Sequence, residues 1–282
     1  VQLHLKFSWL FGLILFATIP PHRRPKFIFT EHDSMQLERW YYPFFIRMVH
    51  KTGSLIAVSH YVKDVISSYG VPSDTIFLLP NYVAPEMYLT STSHKFPQIE
   101  RSKHEGYSSV GFVGRLTSWK GWRFFLEMAD LLRNERIIFC MAGDGRDLKK
   151  IRREIHRSNL EDRVFVLGYV DQIVEFYHSI DVLAVTSQKD TFGLVQVEAQ
   201  ACDIPVVGFE NVVTREISGD DSILLVPNEN VEALAQVILD LINDRSLYKK
   251  MVRKGKENAQ KYNLENYLTR LQSLYDEILH EH

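Results

Sequence analysis

The chain has 282 residues, 45% of them hydrophobic and 24% charged, with a formal net charge of −2. That is enough folded-type sequence for two domains of ordinary size; it excludes a disordered chain and gives no electrostatic reason to expect nucleic acid as a partner. The two cysteines, Cys140 and Cys202, lie in apolar segments and read as buried thiols of a reducing compartment rather than as a disulfide.

In chain order, Val1 to Leu5 reads as the end of a strand and Phe7 to Ile19 as a helix. The apolar run Trp9 to Ile19 is too short to span a bilayer and lacks a basic leader and an Ala-x-Ala cleavage pattern, so a buried helix ending at Pro20-Pro21 is expected. Lys26 to Thr30 is a short apolar strand, followed by Glu31-His32-Asp33. Gln36 to His50 reads as an aromatic-rich helix bent at Pro43, Ser54 to Val58 as a strand, Tyr61 to Tyr69 as a helix closed by Gly70, and Thr75 to Leu79 as a strand halted by Pro80-Asn81. Strand–helix alternation of this kind specifies a parallel sheet with helical crossovers.

Thr90 to Tyr107, rich in Ser, Thr, Lys and His and without an apolar period, reads as a linker or long surface loop. Alternation then restarts. Strands are expected at Ser109–Val113, Arg136–Met141, Arg163–Leu167, Asp181–Val185, Pro205–Gly208 and Ser222–Val226. Helices are expected at Gly121–Asn134, Asp147–Ser158, Asp171–His178, Gly193–Cys202 and Val231–Leu241, with a helical tail from Ser246 to Leu279 broken near Asn263. The second unit is therefore a complete doubly wound domain and the first a small one. There is no solenoid-length repeat.

The stretch from Ser187 to Ala199 joins an apolar strand, Val182 to Val185, to a packed helix through a polar turn ending in Gly193. Ligands of open parallel sheets sit at such strand-to-helix edges, where a glycine admits the ligand to the backbone and the free amides of the helix start favour an anion. Asp190 and Glu198 bracket that start. Acids beside an anion site suit hydroxyl donors, such as a sugar or ribose. A second turn, Gly111 to Gly121, places Gly114, Arg115, Lys120 and Gly121 after the first strand of the second domain. Such a turn suits a diphosphate, though its glycine spacing is neither the Walker nor the dinucleotide pattern, and a solvated basic turn is the plain alternative. Ala142-Gly143-Asp144-Gly145 and Gly168-Tyr169-Val170-Asp171 are further strand-end turns, the latter in the layer that would meet a flat base; Thr214-Arg215-Glu216-Ile217 offers another polar contact. Their convergence on one sheet edge is the strongest signal. His32 stands at a strand end of the first domain, and the other histidines have no metal-ligand spacing.

Taken in order, Gly114-Arg115…Lys120-Gly121, Ala142-Gly143-Asp144-Gly145 and Phe192-Gly193…Glu198-Ala199…Ile204-Pro205-Val206-Val207 resemble glycosyltransferase family 4, as do Phe29-Thr30-Glu31-His32-Asp33, Ala57-Val58-Ser59 and Leu79-Pro80-Asn81-Tyr82-Val83 in the first domain. The resemblance covers nearly the whole chain. It implies an α/β GT-B fold of two Rossmann-like domains: residues 1–92, incomplete and on the acceptor side; residues 93–262, which bind the donor; and a C-terminal helix, 263–282, that returns to the first domain. It implies a retaining, metal-independent transferase that needs no cofactor and moves a hexose-type sugar from a nucleotide-diphosphate donor to a glycan or lipid-linked acceptor, in a polysaccharide or cell-surface glycan pathway.

By the same resemblance, Arg115 and Lys120 grip the donor diphosphate, Glu198 binds the ribose hydroxyls, and Asp190 contacts the donor sugar at the position of the family's first paired glutamate. Gly114, Gly143 and the backbone of Phe192, Gly193 and Leu194 meet phosphate or sugar, Tyr169 and Val170 lie near the base, and His32 faces the reacting sugar. Two departures from the family pattern stand out: Asp190 is one methylene shorter than the usual glutamate, and Asp203 replaces a glycine. The family's first domain opens with further strands and a glycine-rich loop, so the chain is expected to be the C-terminal three-quarters of an enzyme. The rival readings are a non-catalytic or truncated sugar-nucleotide-binding protein, a GT-B sugar-nucleotide epimerase, and a scaffold that keeps only the fold. A cytoplasmic location is expected, at the inner face of the membrane if the aromatic helix Trp40 to Met48 lies on a bilayer rather than packing in the core or on an interdomain face.

Overall fold

The computed structural model describes residues 2–4, 6–23, 25–32, 40–89 and 96–280. The chain divides into two compact units, one comprising Val1–Tyr82, Asp190–Phe192 and Leu264–His282, the other Val83–Lys189 and Gly193–Asn263.

In the first unit, β1 (Gln2–Leu3), β2 (Phe27–Glu31), β3 (Gly53–Ala57) and β4 (Ile76–Leu78) form a parallel sheet in sequential order, connected by α1 (Lys6–Thr18), α2 (Tyr42–His50) and α3 (His60–Ser68). Side chains alternate across β2. Phe29 meets the Trp9 ring of α1 edge-on at 5.6 Å, and Ile28 packs with Ile56, Leu79, Leu274 and Ile278 on the other face. The C-terminal helix, Leu264–His280, supplies the last two of these residues, and Lys26 Nζ donates to the carbonyl of Ile278 at 2.6 Å near its end. A cation is favoured at that end of a helix.

Two expectations are corrected here. Helix α1 is buried on one face only: Trp9 is inside, whereas Leu10 and Ile14 are each 52% exposed. Helix α2 begins at Tyr42, with Pro43 in its first turn, where the missing N–H costs nothing, rather than bending a longer helix. The expected start of that helix, residues 36–39, and Asp33 lie outside the described residues, as do residues 90–95 of the expected linker. Helix α2 is two-sided, with Tyr42, Ile46 and Val49 buried and Phe44 and Met48 exposed in line with Trp40, which precedes the helix.

The second unit opens with a short 3-10 turn, Pro85–Tyr88; its first α-helix is α4 (Pro97–His104), inside the stretch expected to be a loop. That helix buries only Ile99, so it has no apolar period to read; it is fastened by Lys103, whose Nζ lies 3.0 Å from Asp181 Oδ1. There follow β5 (Ser108–Val113), α5 (Trp122–Leu131), β6 (Ile137–Ala142), α6 (Leu148–Arg157), β7 (Val164–Gly168), α7 (Ile173–Ser179), β8 (Val182–Val185), α8 (Leu194–Ala201), β9 (Val206–Phe209), α9 (Val212–Ser218), β10 (Ile223–Val226), α10 (Val231–Asn243) and α11 (Arg245–Ala259). The C-terminal helix of the first unit is α12.

The six strands are parallel, in the order β10-β9-β8-β5-β6-β7. Strands β6, β8 and β9 are buried along their whole length, as continuous apolar runs covered by helices on both faces should be. The chain reverses direction across the sheet between β5 and β8, the switch point at which doubly wound sheets bind ligands outside their carboxyl ends. Helix α9 was not expected. Its start is set by a capping box, in which Asn211 Oδ1 accepts from Thr214 N and Thr214 Oγ1 accepts from Asn211 N. Cys140 and Cys202 are buried free thiols, both pushed up to about 12, chiefly by burial. Among the described residues no helix is long and apolar enough to cross a membrane.

Candidate functional site

Three strand-end turns of the second unit are joined backbone to backbone. Gly114 N donates to Ala142 O at 3.1 Å, Leu116 N to Asp144 O at 2.8 Å, and Gly143 N to Gly168 O at 2.7 Å. The approach is close enough to dictate glycine: a Cβ built on Gly143, at φ +147°, would lie 1.9 Å from Gly114 O. Above this floor is an open cavity of about 410 Å³ lined by Gly114, Arg115, Gly143, Asp144, Tyr169 and Val170, with Val113, Ala142, Asp171 and Ile173 completing the wall. Arg115 stands exposed at its rim with no ion-pair partner among the described residues. Tyr169 is 76% exposed, leaving its ring open to a planar partner.

Lys120 lies across the switch point. Its carbonyl accepts from Thr186 Oγ1 at 3.2 Å, and Gln188 N donates to Trp119 O at 3.0 Å, so the turn carrying it is fixed to the end of β8. Its Cδ would be 3.8 Å from a Cβ on Gly114, which brings the lysine stem alongside the cavity rim. Arg146, a cation that the sequence reading did not single out, lies over the Trp119 ring at 4.9 Å.

Helix α8 starts at Gly193, φ +80°, with no side-chain cap. Two polar side chains of this helix are held on different terms: Glu198 is half-buried and Gln196 is fully buried. Tyr177 donates its hydroxyl to Glu198 Oε2 at 2.8 Å and also lies 3.3 Å from Val195 O. Burial raises the Glu198 carboxyl above its ordinary value, and the Tyr177 hydrogen bond works against that rise. The Tyr177 hydroxyl is itself pushed well up, first by burial and then by the adjoining Glu198. Gln196 is 0% exposed, yet neither of its amide atoms has a hydrogen-bond partner among the described residues. Thr214 and Arg215, expected to offer a ligand contact, are both committed elsewhere: Thr214 closes the α9 capping box, and Arg215 Nε donates to Glu210 Oε1 at 3.1 Å.

In the first unit, His32 follows β2. Glu31 is buried, accepting from His32 N at 3.0 Å and from the Tyr42 hydroxyl, so it fixes the backbone that carries the ring. His32 Nε2 is 3.1 Å from His4 Nδ1, with the rings stacked 5.4 Å apart; burial and then His4 lower the His32 pKa. Residues 190–192 count with this unit because Thr191 Oγ1 donates to His32 O at 2.9 Å and Thr191 O accepts from Ser59 Oγ at 2.5 Å. Of the expected site residues, then, Gly114, Arg115, Gly143, Tyr169 and Val170 share one cavity, and Lys120 lies beside Gly114. Gly193, Leu194 and Glu198 sit on α8 and its start, outside that lining, while His32, Asp190 and Phe192 belong to the first unit. Tyr177 and His4 were missed by the sequence reading.

A doubly wound parallel sheet with glycine turns, an arginine without an ion-pair partner among the described residues and a half-buried carboxylate at its carboxyl edge is the arrangement in which open α/β proteins bind ligands. Residues 95–258 match the family model for glycosyl transferases group 1, and the chain belongs to that family; residues 1–87 match the model for glycosyltransferase family 4. An uncharacterized glycosyltransferase of Methanocaldococcus jannaschii is 30% identical over 183 residues, 62% of this chain and 50% of that protein. The poly(ribitol-phosphate) alpha-N-acetylglucosaminyltransferase of Staphylococcus aureus is 25% identical over 239 residues, 83% of this chain and 46% of that protein. The chain thus spans about half the length of these curated relatives. Among solved structures, Anabaena HepE in complex with UDP and glucose superposes with a TM-score of 0.82 at 21% identity, covering 99% of this chain and 77% of that one, and the shared fold is GT-B.

Proposed function

We propose that the chain carries the donor half of a glycosyltransferase that moves a hexose-type sugar from a nucleotide diphosphate, with retention, to a glycan or lipid-linked acceptor. The observation that carries this reading is the cavity over the joined glycine turns, rimmed by an arginine without an ion-pair partner among the described residues. Breaking the bond between the sugar's anomeric carbon and the diphosphate leaves the electron pair on the diphosphate. Cations already aimed at that charge lower the barrier without reorganising. Arg115 and Lys120 are assigned this role together with the first amides of α8, so a divalent metal is not required. Tyr169 and Val170 are assigned to the base, Glu198 to the ribose hydroxyls, and Asp190 to the donor sugar. His32, held by Glu31 and His4, is assigned to the acceptor-side unit. The Trp40, Phe44 and Met48 stripe, flanked by the exposed Arg47 and Lys51, is assigned to peripheral contact with an anionic bilayer.

The test is a panel of nucleotide sugars, led by UDP-glucose and UDP-N-acetylglucosamine, scored for donor hydrolysis and transfer with and without a chelator. Chelator-resistant release of a nucleoside diphosphate is the expected result. No binding of any nucleoside diphosphate contradicts the reading and favours a scaffold.

A further inference from the structure

Helix α7 links two parts of the second unit that the sequence reading treated separately. Its first residue, Ile173, lines the cavity, and Tyr177 stands four residues further along, on the same helix face and about one 5.4 Å turn away. The Tyr177 side chain is fully buried and its hydroxyl meets Glu198 Oε2 at 2.8 Å. This contact joins α7 to α8 by a side chain rather than by the sheet.

The second acceptor near that hydroxyl is Val195 O at 3.3 Å, in the first turn of α8. One phenol therefore bears on both the acid and the backbone of the helix start. Among the titratable groups around Glu198, Tyr177 faces it from α7, and Cys202 follows it one turn later on its own helix, with Asp203 beside that thiol. Cys202 is pushed up to about 12 and stays neutral. No described cation pairs with Glu198 in the structure; a hydroxyl holds it.

A carboxylate with one oxygen fixed by a buried donor keeps its remaining lone pairs in a set direction. A vicinal diol presents two O–H donors about as far apart as the two oxygens of a carboxylate, so the orientation of that acid decides whether both are met. We propose that Tyr177 is the positioning residue of the ribose subsite: its hydroxyl, given to Glu198 Oε2, sets the carboxylate to accept from the 2′- and 3′-hydroxyls of the donor nucleotide. The inference rests on the assignment of Glu198 to the ribose. Tyr177 touches no substrate atom; it acts through Glu198.

The test compares UDP with 2′,3′-dideoxy-UDP by calorimetric titration of the full chain, as parent, Tyr177→Phe, Glu198→Gln and the double variant. Tyr177→Phe keeps the ring in the core and removes only the hydroxyl. It should weaken UDP about tenfold, the scale of one hydrogen bond to a charged group, and leave dideoxy-UDP unchanged. Glu198→Gln should do the same, and the double variant should lose no more than the worse single one. The Tyr177→Phe protein should also lose UDP affinity at a higher pH than the parent on acidification, because the group opposing protonation of Glu198 is gone; a merely structural tyrosine would leave that profile where it was. If Glu198→Gln abolishes discrimination between the two nucleotides and Tyr177→Phe preserves it, with an unmoved pH profile, the positioning role is overturned while the ribose assignment stands. If Glu198→Gln itself preserves discrimination, the ribose assignment fails and the inference with it.

Discussion

The glycine turns at the ends of β5 and β6 and the first turns of α8 both look like ligand-binding sequence, but the structure holds them for different reasons. At Gly143 the residue type is imposed by the fold: a side chain there would drive into the Gly114 carbonyl with or without a ligand. On α8, beyond the positive-φ Gly193 that caps it, the fold imposes no such need. Glu198 is an acid whose burial opposes its charge, and Gln196 is an amide sealed in without a described partner. Glycines shape the cavity; the polar groups that burden stability are where function is expected to leave its mark.

Substitutions separate the two kinds of residue. The largest effect is expected at the cavity rim. Arg115→Ala, or Lys120→Ala, should lower turnover roughly 10²–10³-fold, about 2.7–4 kcal/mol of barrier, and Arg115→Ala should leave the melting temperature unchanged. Next come the glycines. Gly143→Ala combines a forbidden backbone region with an overpacked contact and should cost roughly 2–5 kcal/mol of stability by denaturant titration. Gly168, also at positive φ (+76°) but with nothing within 4 Å of a built Cβ, should cost only about 1–2 kcal/mol as alanine. Equal losses at the two positions would undo the distinction between contact and backbone strain.

The helix should respond in the opposite direction. Gln196→Leu removes an unpaired buried amide and should stabilise by about 1 kcal/mol, read in the same titration. A loss instead would show that the amide has a partner in solution. The smallest effect concerns Glu198 and depends on pH. Its folded pKa is raised, so between the unfolded value and the folded one the native state binds the extra proton, and stability falls as pH rises through that window. Glu198→Gln should therefore raise the melting temperature at pH 7, and the gain should vanish below the ordinary carboxylate pKa, where both states are protonated.

The same contrast explains what the sequence reveals. Strands β6, β8 and β9 are legible because burial on both faces writes an unbroken apolar run. The cavity-forming turns are legible because close backbone approach demands glycine. Helix α4 is not, since it buries a single apolar residue, Ile99, and α9 is hidden because a capping box at Asn211 and Thr214, not an apolar period, defines its start. Pairings between distant residues leave no local trace. Tyr177 lies 21 residues from Glu198, and His4 lies 28 from His32, so neither partner could be singled out before the fold brought them together. Arg215 had the composition of a ligand contact, but its neighbour Glu210 takes the guanidinium.

The central claim is that the cavity over the glycine turns holds a nucleoside diphosphate through Arg115. Calorimetric titration of UDP into the parent chain and into Arg115→Ala, with matched circular dichroism spectra, tests it most directly. A parent that binds and a variant at least tenfold weaker is the predicted result. Equal affinity in the two proteins would contradict it.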